Sequence, residues 1–148
     1  MTETNVDFQT FDDIPDSRPV IADGEYVLRV VNPTVKEKRD KTGKFINYDA
    51  VVQEGPEAGY RIFGSMFSLA KSNVWAFKGA MKAVGFSIPR GLTLDEAADY
   101  FVKNANGFEF IGTVSKKIAT ARNEETGAYE PVPGQFINQV RRWLKAVV

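Results

Sequence analysis

The chain contains no cysteine and no histidine among its 148 residues. The first absence excludes disulfide staples and thiolate nucleophiles, the second excludes imidazole bases, and together they exclude every zinc site built on Cys or His. No apolar run approaches the ~20 residues that span a bilayer. The amino terminus, MTETNVDFQTFDD, lacks the basic and apolar regions of a secretory signal. These features predict a cytoplasmic protein. The sequence also lacks a Gly-x-x-x-x-Gly-Lys-Ser/Thr phosphate cradle and a dinucleotide fingerprint. Asp12, Asp13 and Asp16 fall on a segment interrupted by Pro15 and Pro19, with no scaffold to hold a metal. The expectation is therefore a protein that is not an enzyme and needs no cofactor or metal.

What is present is an ordinary globular composition, 43% hydrophobic and 26% charged, in a length suited to one domain. The formal net charge is zero, but it is unevenly distributed. Residues 1–25 carry seven acids and one base, net −6, so residues 26–148 carry twelve acids and eighteen bases, net +6. Residues 1–22 show no sustained periodicity and read as an acidic flexible arm, or as one tacked down by Phe8, Phe11 or Ile14. Residues 23–148 form the body. A cationic body with an anionic arm fits either a solvated surface with a soluble tail, or a phosphate-binding body whose arm competes or recruits.

The periodicity of the body predicts strands first. EYVLRVV sets Tyr26, Leu28 and Val30 on one face, ending near Asn32-Pro33, and Lys-Thr-Gly-Lys marks a hairpin tip before a return strand at about 45–53. RIFGSMFS is a third strand. Val74, Phe77, Ala80, Met81 and Val84 then recur at helical spacing behind Ser72 as an N-cap, with Gly85 at the stop. Thr93-Leu94-Asp95-Glu96 is a capping box for a second helix with Leu94, Ala97, Ala98, Phe101 and Ala105 as its stripe. Strands resume at FEFIGTVS and KKIATAR; NEETGAYEPVPG reads as a long polar loop and FINQVRRW as the last strand. The predicted class is mainly β with a helical insertion. It matches an OB-like open five-stranded Greek-key barrel with helices between strands three and four, although a β-sandwich or an α+β roll has the same order of elements.

The stretches DGEYVLRVVNPTVKEKRDKTGKFINYDAVVQEGPEAGYRIFGSM and GFEFIGTVSKKIATARNEETGAYEPVPGQFINQVRRW resemble phage-encoded single-stranded DNA-binding proteins related to the DUF669 family. In these proteins a G-x-Y-x-x-x-V strand, a G-K-x-x hairpin and a G-x-x-x-x-F third strand recur. The likeness covers about residues 23–143. It implies an OB-type fold and work in phage DNA replication or recombination, in the host cytoplasm, and it supplies no site residues.

Candidate contacts follow from chemistry, since a sequence-nonspecific single-strand binder needs cations along the phosphates and flat rings under the bases. Around the first hairpin, Lys36, Lys38, Arg39, Lys41 and Lys44 precede Phe45 and Tyr48. In the third strand, Arg61, Phe63 and Phe67 alternate with Ile62, Gly64 and Met66, which suits either a stacking platform or a core face. Arg141 and Trp143 share a face of the last strand, with Arg142 beside Val140 and Phe136. Lys116, Lys117 and Arg122, with Tyr129, complete the set. Trp75 lies off the apolar stripe of its helix beside Lys78 and Lys82, and suits a stacked base, a cover for the arm or a subunit contact. Phe11-Asp12-Asp13-Ile14-Pro15 resembles the acidic tip with which bacterial single-stranded DNA-binding proteins recruit partner enzymes, although there the motif ends the chain. The expected partners are single-stranded DNA, replication or recombination proteins reached through the acidic arm, and further copies in a homo-oligomer. The competing reading is a protein-binding accessory or inhibitor domain with no nucleic-acid role.

Overall fold

The computed structural model describes residues 10–13, 19–38, 41 and 43–147. A single 3-10 turn, Phe11–Asp13, precedes β1 (Gly24–Glu37), β2 (Lys44–Val52), β3 (Arg61–Ser68), α1 (Trp75–Val84), α2 (Leu94–Asn104), β4 (Glu109–Arg122) and β5 (Tyr129–Ala146). All pairings are antiparallel, in the order β3-β2-β1-β4-β5. The mainly β class and the helices between strands three and four are thus as the periodicity implies.

Strand limits differ from expectation where a bulge lets a strand continue past a proline. β1 does not stop at Asn32-Pro33. Asn32 adopts φ 51, its N–H donates to Asn106 Oδ1 at 3.0 Å, and the register with β2 shifts between Val31 and Thr34 before the strand resumes. A bulge is where a sheet tolerates a residue with no N–H, so Pro33 is accommodated there. The expected long loop before the last strand is also mostly strand. β5 begins at Tyr129 and carries Pro131 opposite Thr120, on an edge where a missing donor costs little.

Alternation along β2 buries Ile46, Tyr48, Ala50 and Val52, which meet Leu28 and Val30 of β1 and Ile62 of β3 on one side of the sheet. α1 covers that side with Phe77, Ala80, Met81 and Val84, and α2 with Ala98 and Phe101. Trp143 stands at the centre, its ring stacked on Phe110 at 3.8 Å between centroids and within 6 Å of Tyr48 and Phe67. Gly112, paired with Trp143, has no room for a side chain, because a Cβ there would lie 2.7 Å from the Phe110 ring and 2.8 Å from the Arg142 carbonyl.

The capping box of α2 is present in full, Thr93 Oγ1 accepting from Glu96 N and Glu96 Oε1 from Thr93 N. Its expected stripe is incomplete, because Leu94 is exposed. α1 begins later than expected, with Val74 and not Ser72 at its N-cap, and ends at Gly85.

The edges of the sheet, β3 and β5, approach each other. Val140 N donates to Ser65 Oγ at 3.1 Å, and the Tyr60 hydroxyl donates to the Pro19 carbonyl at 2.7 Å while lying 3.0 Å from Asn138 Oδ1. Residues 19–22 strap this seam. Asn138 accepts from Ile21 N and donates to Ile21 O, both at 3.0 Å, with Ile21 buried. Among the described residues, Pro19–Ala22, inside the segment read as arm, thus belong to the packed body, with Ile21 as the anchor. Phe11 is exposed; Phe8 and Ile14, the other expected anchors, lie outside the described residues.

Candidate nucleic-acid interface

Residues directly opposite in an antiparallel pair share a face, so the ladder registers assemble the outer face of β1, β2 and β3. Lys36 pairs with Phe45 and Phe45 with Ser68; Thr34 pairs with Asn47 and Asn47 with Met66. Val31 pairs with Asp49, and Arg29 with Val51, which in turn pairs with Arg61. The tips of the β1–β2 and β4–β5 hairpins lie beyond opposite ends of β1.

The decisive local feature is a bulge in β3. Tyr48 pairs with Ser65 but Ala50 with Ile62, so two residues of β3 oppose one of β2, and Gly64 takes φ 71 to make the extra step. Asp49 holds it. One carboxylate oxygen accepts from Gly64 N at 2.9 Å; the other accepts from Arg61 Nη2 at 2.8 Å and Nε at 3.1 Å. The bulge reverses the alternation that would put Phe63 and Phe67 on one face. Phe63 points outward, 56% exposed, with the Arg61 guanidinium 5.2 Å from its ring centroid, while Phe67 is buried against Tyr48, Phe77 and Trp143.

Three of the expected contact residues therefore leave the set. Tyr48, Phe67 and Trp143 are core residues. Trp143 Nε1 donates to the Tyr48 hydroxyl at 2.8 Å, and burial raises the Tyr48 pKa well above the ordinary tyrosine value, against a smaller opposing effect of that hydrogen bond. The expected face-sharing of Arg141 with Trp143 also fails, because the register of β5 shifts between Val140 and Arg142. Arg141 and Arg142 are both exposed while Val140 and Trp143 face the core.

Of the other expected cations, Lys36 is exposed beside half-buried Phe45 on the outer face, and Lys38 is half-buried at the hairpin. Lys41 pairs with Glu37 at 3.3 Å and Lys44 reaches Asp95 at 3.9 Å, both exposed contacts that water and salt weaken. Arg39 lies outside the described residues. Lys116, Lys117, Arg122 and Tyr129 are exposed along the other hairpin, Arg122 opposite Tyr129.

The structure adds residues that alternation alone did not single out. Phe136 and Ile137 of β5 come up to Phe63 across the β3–β5 seam, where with Val20 and Tyr60 they line a small groove of about 150 Å³. Arg29 and Met66 join the outer face through the registers. Arg29 stood in the β1 pattern opposite Leu28 and Val30 and was legible as outward-facing; Phe136 depends on how the sheet edges meet.

Among the described residues no cluster of acids suits a metal ion, and no helix is long and apolar enough to cross a membrane. No family model matches the chain, nor does any curated protein or solved structure.

Proposed function

We propose that this chain is a sequence-nonspecific single-stranded DNA-binding protein with an OB-like barrel, acting without catalysis in phage DNA replication or recombination in the host cytoplasm. The observation that carries the reading is Phe63, an exposed ring mounted on a bulge pinned by Asp49 and accompanied by a guanidinium. A base can stack on such a ring whatever its identity, because every base offers a π-face. Phe136 across the seam supplies a second apolar surface, Lys36 and Arg29 supply cations on the outer face of β1 beside β2, and the two hairpins carry further cations. The strand order supports the same reading: β1 takes both β2 and β4 as neighbours, the edges of β3 and β5 meet, and an OB barrel uses its β2–β3 face and its two hairpins for oligonucleotides. The resemblance to phage single-strand binders points to the same substrate.

The test is anisotropy of a fluorescent oligo-dT titrated with the full chain over a range of salt. Binding should weaken with salt at a slope near −0.7 per phosphate contacted, prefer single strands to duplex, and vary little with base composition. Replacing Lys36, Lys38 and Lys41 with Gln should weaken binding and flatten that slope. Absence of binding at low salt would remove the nucleic-acid reading.

A further inference from the structure

A second concavity lies away from the outer sheet face, between α1 and the segment 86–94. It is a groove of about 760 Å³, mostly apolar, with Phe77 and Met81 buried at its base and Ile88 beside them. Its lip is unusual for a surface in water. Trp75 is 73% exposed and Leu94, displaced from the stripe of α2, is 41% exposed. Trp75, Lys78 and Lys82 follow at spacings of three and four along one face of α1, and Arg90 lines the groove as well. Of the acids nearest the lip in sequence, Glu96 accepts the Thr93 N–H in its capping box and Asp95 makes an exposed 3.9 Å contact with Lys44, and neither lines the groove. The groove thus offers apolar surface edged with cations, suited to an aromatic side chain flanked by carboxylates.

The chain carries such a group. Phe11, Asp12 and Asp13 form the 3-10 turn, closed by Asp13 N donating to the Thr10 carbonyl at 3.1 Å and Thr10 N donating to the Asp13 carboxylate at 3.3 Å. Phe11 is 86% exposed, the most exposed large apolar side chain described, and it does not line the groove of its own chain. Its strap, Pro19–Ala22, is fixed at the β3–β5 seam by Tyr60 and Asn138.

We infer that the groove between α1 and residues 86–94 receives the Phe11-Asp12-Asp13 turn of a second copy of this chain, Phe11 entering between Trp75 and Leu94 and the two carboxylates facing Lys78, Lys82 and Arg90. The contact is heterologous, since turn and groove are different surfaces, so it propagates head to tail. On a single strand it would favour adjacent occupancy, but it requires no nucleic acid.

Sedimentation velocity of the full chain at low salt, over a range of concentrations, tests it. Two one-sided variants are used: Phe11→Ala/Asp12→Asn/Asp13→Asn, which removes the turn's chemistry, and Lys78→Glu/Lys82→Glu, which reverses the groove's charge at exposed positions. The native chain should associate with rising concentration, each variant alone should associate roughly tenfold or more weakly, and an equimolar mixture of the two should stop at a 1:1 dimer. Trp75 emission should shift to the blue on association, over a constant background from buried Trp143. A native chain that stays monomeric overturns the inference, as does a mixture that fails to form the dimer. A Trp75 shift between the native chain and the turn variant that is independent of concentration would place the turn in its own groove and also overturn it. None of these readouts involves DNA, so failure here is separate from failure of the single-strand reading.

Discussion

The indole N–H of Trp143, on β5, donates a 2.8 Å hydrogen bond to the hydroxyl of Tyr48, on β2, ninety-five residues earlier. Both rings are buried, and the bond satisfies the one polar group that each carries into the core. β2 and β5 are not neighbours in the sheet, so this bond and the packing of the Tyr48 and Trp143 rings against Phe67 tie opposite parts of the sheet together over α1.

Tyr48→Phe should destabilise the fold by ~1–3 kcal/mol, because the Trp143 N–H is then buried without an acceptor. Alkaline unfolding follows from the same burial. The folded protein holds the Tyr48 pKa above the ordinary value of about 10, so above that pH the unfolded chain loses a proton that the folded chain retains. Stability should be unaffected by this group below about pH 10 and fall as pH rises beyond it. Urea melts of the native chain and of Tyr48→Phe between neutral pH and pH 11 measure both effects; a native chain that is no less stable at the alkaline end would contradict the second.

Phe63→Ala and Phe67→Ala should separate binding from folding. The first removes an outward ring, and should weaken oligo-dT binding by ~1–3 kcal/mol at an almost unchanged salt slope while the melt moves little. The second empties part of the core and should cost ~3–5 kcal/mol of stability. A thermal melt run beside each titration distinguishes them, and a large loss of stability in the Phe63 variant would contradict the outward placement.

Gly112→Ala should cost ~1–3 kcal/mol, since the added methyl meets both the Phe110 ring and the β5 backbone. Near-ultraviolet circular dichroism should report disturbed packing around Trp143. An unaltered melt would mean that the two strands separate there at little cost.

Asn138→Ala should release the strap. It removes the acceptor for Ile21 N and the donor to Ile21 O in a buried setting, for a loss of ~1–3 kcal/mol. Hydrogen exchange at the Ile21 amide should accelerate by far more than exchange in β2. Equal acceleration in both would mean that the strap opens only when the whole fold does.

Local chemistry made much of this molecule legible in its sequence. Alternation placed Ile46, Tyr48, Ala50 and Val52 on one buried face, and the Thr93 and Glu96 pair marked the start of α2, because strand faces and helix caps are set by residues two to four positions apart. The charge division between residues 1–25 and the rest is likewise a property of the sequence alone. The sorting of the aromatics was not legible. Phe63 and Phe67 sit at strand spacing that puts them on one face, and only the Gly64 bulge, held by Asp49 from the neighbouring strand, turns Phe63 to solvent and leaves Phe67 in the core. Pro33 read as a strand end and Pro131 as part of a loop until cross-strand registers and an edge position accommodated their missing donors. Asn138, an ordinary polar residue in its strand, became a buried clasp because the sheet curls until β5 meets β3 and the chain before β1 crosses the seam. Tertiary structure decided which rings, prolines and amides face inward, because each depends on a hydrogen-bond partner or a register supplied by residues distant in the chain.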